Sequence, residues 1–147
     1  MFEKGVEAGK YFEAYVRRIT IGKVITRLPK ENIYWYLKKK FSSPNVYVAR
    51  NLIELIGAME DEEALKSLEI PLESRELILR KKAVFVLGKI HNNTSTMLLS
   101  QALRDEDAGL RRSALDLLKS RSDDKSREAL AACKKDAKAP EDVRRLI

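Results

Sequence analysis

The sequence predicts an all-α chain, a right-handed α/α superhelix (a solenoid) of about four helical-hairpin repeats. Three observations carry that expectation. An apolar pattern returns every 31 residues: Val48, Leu52, Ile56, Gly57 and Met59 recur as Leu79, Ala83, Leu87, Gly88 and Ile90. It recurs more loosely as Leu110, Ala114, Leu118, Lys119 and Arg121. A fixed period of about 20–50 residues marks stacked units, none of which can bury its apolar face alone. Only six Gly and four Pro interrupt the 147 residues, which favours helices over a many-turned β fold. Within each unit the apolar positions follow the helical spacing of about 3.6 residues.

Residues 1–43 read as a degenerate, aromatic-rich N-terminal cap unit. Val16, Thr20 and Val24 fit one helix face, and Ile33 to Phe41 fit a second helix. Phe2, Tyr11, Phe12, Tyr15, Tyr34, Trp35, Tyr36 and Phe41 concentrate here. Large rings on helix faces can close the exposed end of a stack. Residues 44–73 form the next repeat. Pro44 suits a first helical position, where its missing N–H has no partner anyway. Val48, Leu52, Leu55 and Ile56 supply the stripe, Glu60-Asp61 turns the chain, and Ala64, Leu65 and Leu68 open a second helix that Pro71 stops.

Residues 74–106 repeat the plan. Ser74 is the expected N-cap of a helix bearing Leu77, Ala83, Val84, Leu87 and Ile90. His91-Asn92-Asn93-Thr94 breaks it, and Asn93 or Thr94 caps a partner helix with Met97, Leu98, Ala102 and Leu103 facing inward. In residues 107–138, Asp107 caps a helix from Leu110 to Leu118, Ser122-Asp123-Asp124 turns, and Ala129, Leu130 and Cys133 follow. Residues 139–147 read as a C-terminal capping helix or the opening of a further repeat.

The run Leu79-Arg80-Lys81-Lys82-Ala83-Val84-Phe85-Val86-Leu87-Gly88-Lys89-Ile90 resembles the first helix of HEAT repeats. It is most similar to the short HEAT-like type of phycobilin lyases (PBS-lyase type). There a Val-Arg pair leads, Ala follows three residues later and Leu-Gly-x-Ile closes the helix, after an Asp-rich junction such as Asp105-Glu106-Asp107. The resemblance covers residues 44–135 well and 10–43 poorly. It implies small residues at Ala83 and Ala114 where helices cross, and close backbone approach at Gly57 and Gly88. It also implies that Arg80 and Arg111 reach an Asp or a helix C-terminus of the adjacent unit. The chain departs from the pattern at Ala49, which stands where the family has Arg. It departs again at Lys119 and Arg121, which stand where it has Gly and Ile. All these places are expected to pack loosely or face solvent.

Hydrophobic residues at 44% and charged residues at 35% allow a packed core and exclude global disorder. No apolar run approaches the roughly 18–20 residues that span a bilayer, and residues 1–17 lack the apolar core of a secretory signal. No membrane partner is expected. The single cysteine, Cys133, makes no internal disulfide, which suits a reducing, cytoplasmic location. The net charge of +7 is a mosaic, about +6 over residues 1–46, −5 over 47–73, +5 over 74–104 and +1 over 105–147. A dedicated nucleic-acid binder more often keeps one sign along its surface.

No cluster demands a reaction. His91, the only histidine, has no companion ligand and reads as a solvated turn residue, so no metal is expected. Cys133 reads as a packed thiol without a base. Asp105, Glu106 and Asp107 read as caps and links between repeats. No Gly-rich phosphate loop and no Ser-His-Asp set is apparent, and no cofactor is expected. Trp35, between Tyr34 and Tyr36 and followed by Lys38, Lys39 and Lys40, is the most suggestive cluster, because rings beside cations can stack bases. Its alternative reading is a cap helix with a lysine-rich end matched to the helix dipole.

In HEAT-like solenoids the second helices line the concave side. The resemblance then places a basic binding face at Tyr34, Trp35, Lys38, Lys39, Lys66, Gln101, Arg104, Arg127, Lys134 and Lys135. The expected function is a non-enzymatic protein-interaction or scaffold module for an acidic partner. The alternatives are a nucleic-acid binder with a DNA-glycosylase-like groove and a bilin-lyase-like subunit. The oligomeric state stays open.

Overall fold

A computed structural model describes the backbone of residues 2–147 and the side chains from Ala8 onward. The ring of Phe2, one of the cap aromatics, lies outside the described residues. Every regular element among the described residues is an α-helix. The helices form two compact units, Met1–Pro71 and Leu72–Ile147.

The first unit holds α1 (Phe2–Ile25), α2 (Lys30–Phe41), α3 (Val46–Met59) and α4 (Glu62–Lys66), followed by the single turn α5 (Glu69–Leu72). The second holds α6 (Leu77–Gly88), α7 (Asn93–Ala102), α8 (Ala108–Ser120), α9 (Asp124–Lys135) and α10 (Glu141–Leu146).

The period is visible in the caps. Asn45, Glu76 and Asp107 precede α3, α6 and α8, while Asp61, Asn92 and Asp123 precede α4, α7 and α9. Each series advances by 31 residues. Five of these six side chains accept a bond from a first-turn amide that has no helical partner, such as Ala64 N on Asp61 at 2.9 Å and Leu110 N on Asp107 at 2.8 Å. The exception is Glu76, whose longer side chain makes no cap bond.

These caps correct the expected ones. Pro44 is not the first helical residue; Asn45 opens α3, with Oδ1 accepting from Tyr47 N at 3.0 Å. Asn92 rather than Asn93 or Thr94 opens α7, in a reciprocal capping box with Ser95. Ser74 lies ahead of α6 and its hydroxyl accepts from Glu76 N at 3.1 Å. Pro71 does not stop a helix either. The chain breaks earlier, at Ser67-Leu68, and Pro71 sits inside the first turn of α5, where no N–H is needed.

In the first unit α1 packs along α3, and α2 packs on α4. Ala14, Ile21 and Ile25 of α1 are buried, and the core continues through Ile33, Leu37, Leu52, Ile53, Ile56, Leu65 and Leu68. The expected α1 stripe was off by a fraction of a turn: Val16 and Thr20 are exposed and Val24 is only half-buried. Ala49, expected to pack loosely or face solvent, is buried at 2% exposure. The cap aromatics do not fill a core. Phe12 is 69% exposed, and Tyr11, Tyr15 and Trp35 are exposed as well. Tyr11 instead rests edge-on against Tyr47, with ring centroids 4.7 Å apart.

In the second unit α6, α7, α8 and α9 pack as two successive hairpins, with α10 against α8 and α9. Ala83 and Ala114 are fully buried. A Cβ on Gly88 would lie 2.8 Å from Leu117 Cδ2, so the absence of a side chain there leaves room for the Leu117 side chain of α8. Leu98, Leu99, Ala102 and Leu103 form the inner face of α7, whereas Met97, expected inside, is 49% exposed.

Three arginines tie the hairpins together. The Arg80 guanidinium donates Nη1 to Ser74 O at 2.9 Å and Arg75 O at 3.3 Å, and Nε to Asp105 at 3.0 Å. Thirty-one residues on, Arg111 donates Nη1 to Asp105 O at 2.7 Å and Glu106 O at 3.2 Å, and Nη2 to Asp142 at 2.8 Å. The third is the largest departure from expectation. Arg121, expected to pack loosely or face solvent, is 5% exposed. It donates to Leu87 O, Ile90 O, Ser95 Oγ and Thr96 Oγ1 at 2.8–3.0 Å. Leu87 O and Ile90 O, at and just past the C-terminal end of α6, already accept from Ile90 N and Ser95 Oγ, and a guanidinium from the next hairpin adds a second donor to each. Burial lowers the Arg121 pKa, partly offset by Asp123, and its donors are matched to acceptors on the α6–α7 turn.

Candidate functional site

The residues expected on the binding face fall into the two units and behave differently in each. On α2, Tyr34, Trp35 and Lys38 come together. The Trp35 ring meets Tyr34 edge-on at 5.2 Å and Lys38 Nζ lies 5.1 Å from its centroid. Trp35 is 64% exposed, but Tyr34 is half-buried and its hydroxyl donates to Glu69. One face of this cluster is therefore committed to holding α2 in place. Lys39 points to solvent and does not join it. Lys40 Nζ lies 5.3 Å from the Tyr36 ring, and burial raises the Tyr36 hydroxyl above its usual pKa. Lys66, on α4, pairs with Glu63 at 2.8 Å, which raises its pKa. Its charge is largely spent within its own helix.

In the second unit Gln101 and Arg104 share a groove of about 400 Å³ beside Leu72, Glu73 and Asp105. Arg104 reaches Asp136 at 2.6 Å and holds that carboxyl below the usual range. Arg127 pairs with Asp124 one turn earlier. Both pairs are substantially exposed and worth little. Lys134 and Lys135, in the last turn of α9, are exposed and make no ion pair among the described residues. Of the expected cations in this unit, these two keep their charge available.

Groups with chemical potential are otherwise occupied. Asp105 and Asp107 serve Arg80 and the start of α8. Asp123 accepts from Ser126 N and Oγ, which lowers its pKa. Cys133 is 2% exposed and burial raises its thiol pKa, so the thiolate is disfavoured. His91 is exposed on the α6–α7 turn. Among the described residues no group of His, Cys, Asp and Glu is placed to hold a metal ion. No helix is long and apolar enough to cross a membrane.

Sequence reasoning missed two features of the second unit. One is the inward course of Arg121, which left no local signal because its acceptors Ser95 and Thr96 lie 25–26 residues upstream. The other is the outward face of α6. Ile78 and Phe85 are two turns apart and both exposed, a second apolar spacing beside the core stripe. No protein-family model matches the chain, and no curated protein is similar to it.

Proposed function

We propose that the chain is a non-enzymatic, cytoplasmic protein-interaction module. In this reading it is a HEAT-like, right-handed α/α superhelix whose second helices offer a cationic face to an acidic partner. The division of labour among its cations supports the reading. Arg80, Arg111 and Arg121 are drawn inward to join hairpins, while Lys134 and Lys135 stay exposed and unpaired among the described residues. Exposed positive charge on a rigid helix end steers acidic surfaces and sets register. Poly-L-glutamate binding measured by calorimetry tests this. Lys134→Glu with Lys135→Glu is expected to weaken it by roughly tenfold. Unchanged affinity would reject the α9 face.

The exposed Trp35 beside Lys38 favours one second reading, a single-stranded nucleic-acid contact on α2. Trp35 is the sole tryptophan, so its fluorescence reports directly. Salt-sensitive quenching by an oligonucleotide supports this reading, and unquenched emission at low salt removes it.

A further inference from the structure

Between the outward faces of α6 and α8 runs a trough of about 860 Å³. Val84, Phe85, Leu110 and Leu117 give it an apolar lining, and the small side chain of Ser113 keeps it open. Phe85, the only aromatic residue in residues 72–147, stands at the rim 56% exposed. Ile78, two turns earlier on the same helix, is 50% exposed. Exposed apolar surface of this kind, rimmed by polar residues, marks an interaction site.

The rim is electrically lopsided. On the α6 side are Lys81, exposed and without an ion pair among the described residues, and Lys89, whose Nζ lies 4.2 Å from the Phe85 ring centroid. On the α8 side the acid, Asp116, is already paired with Arg112 at 3.0 Å. An occupant meets uncompensated positive charge along one edge only. The trough is walled by two helices and open along its length, which suits the ridge of a third helix better than an enclosed small molecule.

We propose that the α6–α8 trough docks an amphipathic helix of a protein partner, apolar along one stripe and acidic along the flank that meets Lys81 and Lys89. Phe85 is the anchor, since an aromatic ring at the edge of an apolar groove is desolvated on both sides once a helix covers it. This surface is separate from the second-helix face and does not depend on it.

The test is a selection. A phage-displayed library of helical peptides with randomised outward positions is panned on the full chain, and enriched peptides are synthesised for fluorescence anisotropy. Enrichment of an apolar i, i+3/i+4, i+7 stripe with Asp or Glu on one flank is expected. Affinity is expected to fall roughly tenfold or more in Phe85→Ser and in Ser113→Phe, which removes the anchor and fills the trough respectively. Both positions are exposed, so thermal melts should stay close to those of the parent chain. Lys134→Glu with Lys135→Glu should leave affinity unchanged, which separates this site from the α9 face. No enrichment, enrichment without an acidic flank, or affinity indifferent to both trough variants would overturn the proposal. So would saturable binding of a long-chain fatty acid that Ser113→Phe abolishes while no peptide competes.

Discussion

The two units share one period and join their helices by different means. In residues 72–147 the hairpins are linked by guanidinium groups that reach backbone carbonyls and carboxylates of neighbouring turns. In residues 1–71 the position equivalent to Arg80 is Ala49, 2% exposed, and α1 meets α3 through aliphatic side chains, the Tyr11–Tyr47 ring pair and a part-exposed Arg18–Glu54 ion pair at 3.6 Å, with no buried guanidinium among the described residues. Every aromatic residue except Phe85 lies in the first unit. A repeat therefore fixes where helices start, through caps 31 residues apart, without fixing how hairpins are held. Apolar burial is non-directional and tolerates a slipped face. A guanidinium with four acceptors does not tolerate one, because its own N–H donors would be left buried and unsatisfied.

Exchanging the two solutions is expected to have the largest effect. Ala49→Arg puts a large charged side chain into a buried site filled by a methyl group, at a cost of about 3–5 kcal/mol by thermal or urea unfolding. Tolerance within about 0.5 kcal/mol would show that the first unit has a latent arginine site. Arg121→Ala in the second unit is expected to cost about 3 kcal/mol, since it removes four bonds, to Leu87 O, Ile90 O, Ser95 Oγ and Thr96 Oγ1, and empties the space the side chain fills. Hydrogen exchange should accelerate first at the α6–α7 turn. A uniform acceleration would assign Arg121 a general role only.

Acid sharpens the comparison further. Arg104 and Arg111 hold the carboxyls of Asp136 and Asp142 below their ordinary range. Folded-state pKa values lower than the unfolded ones give stability that is present above the unfolded pKa, about 3.9. That stability is lost as pH falls through the folded values. Melting temperature should decline below about pH 4, and Asp136→Asn with Asp142→Asn should flatten that decline. An unchanged slope would mean that other carboxylates carry it. The smallest effect is in the first unit, where Glu60 closes α3 in the left-handed region at φ 53°. Glu60→Gly relieves that backbone and should stabilise the chain by about 0.5–1 kcal/mol. A loss would show that the Glu60 side chain contributes a contact of its own.

The helices and their period were legible because they rest on local signals. Apolar spacing marks Leu79, Ala83 and Leu87, and short acceptors such as Asp107 mark a helix start whatever the surroundings. Capping was misplaced by one or two residues at Asn45 and Asn92, where several acceptors stand in a row and only the turn geometry chooses among them. Arg121 was misread because its partners lie 25–34 residues away. An arginine at an apolar position looks like a surface residue until those acceptors converge on it. Of the candidate face, Lys134 and Lys135 are exposed as expected. Tyr34, Lys66, Arg104 and Arg127 are engaged by Glu69, Glu63, Asp136 and Asp124, pairings that composition does not reveal.

Buried guanidinium links join the turns and hairpins of residues 72–147. A double-mutant cycle between Arg80 and Asp105, whose side chains are 7% and 8% exposed, measures one such link directly. Unfolding of Arg80→Ala, Asp105→Ala and the double variant should give a coupling free energy of about 1–3 kcal/mol. Additive losses, with coupling near zero, would show that the Arg80–Asp105 pair contributes nothing and that apolar packing alone holds α6 to this turn.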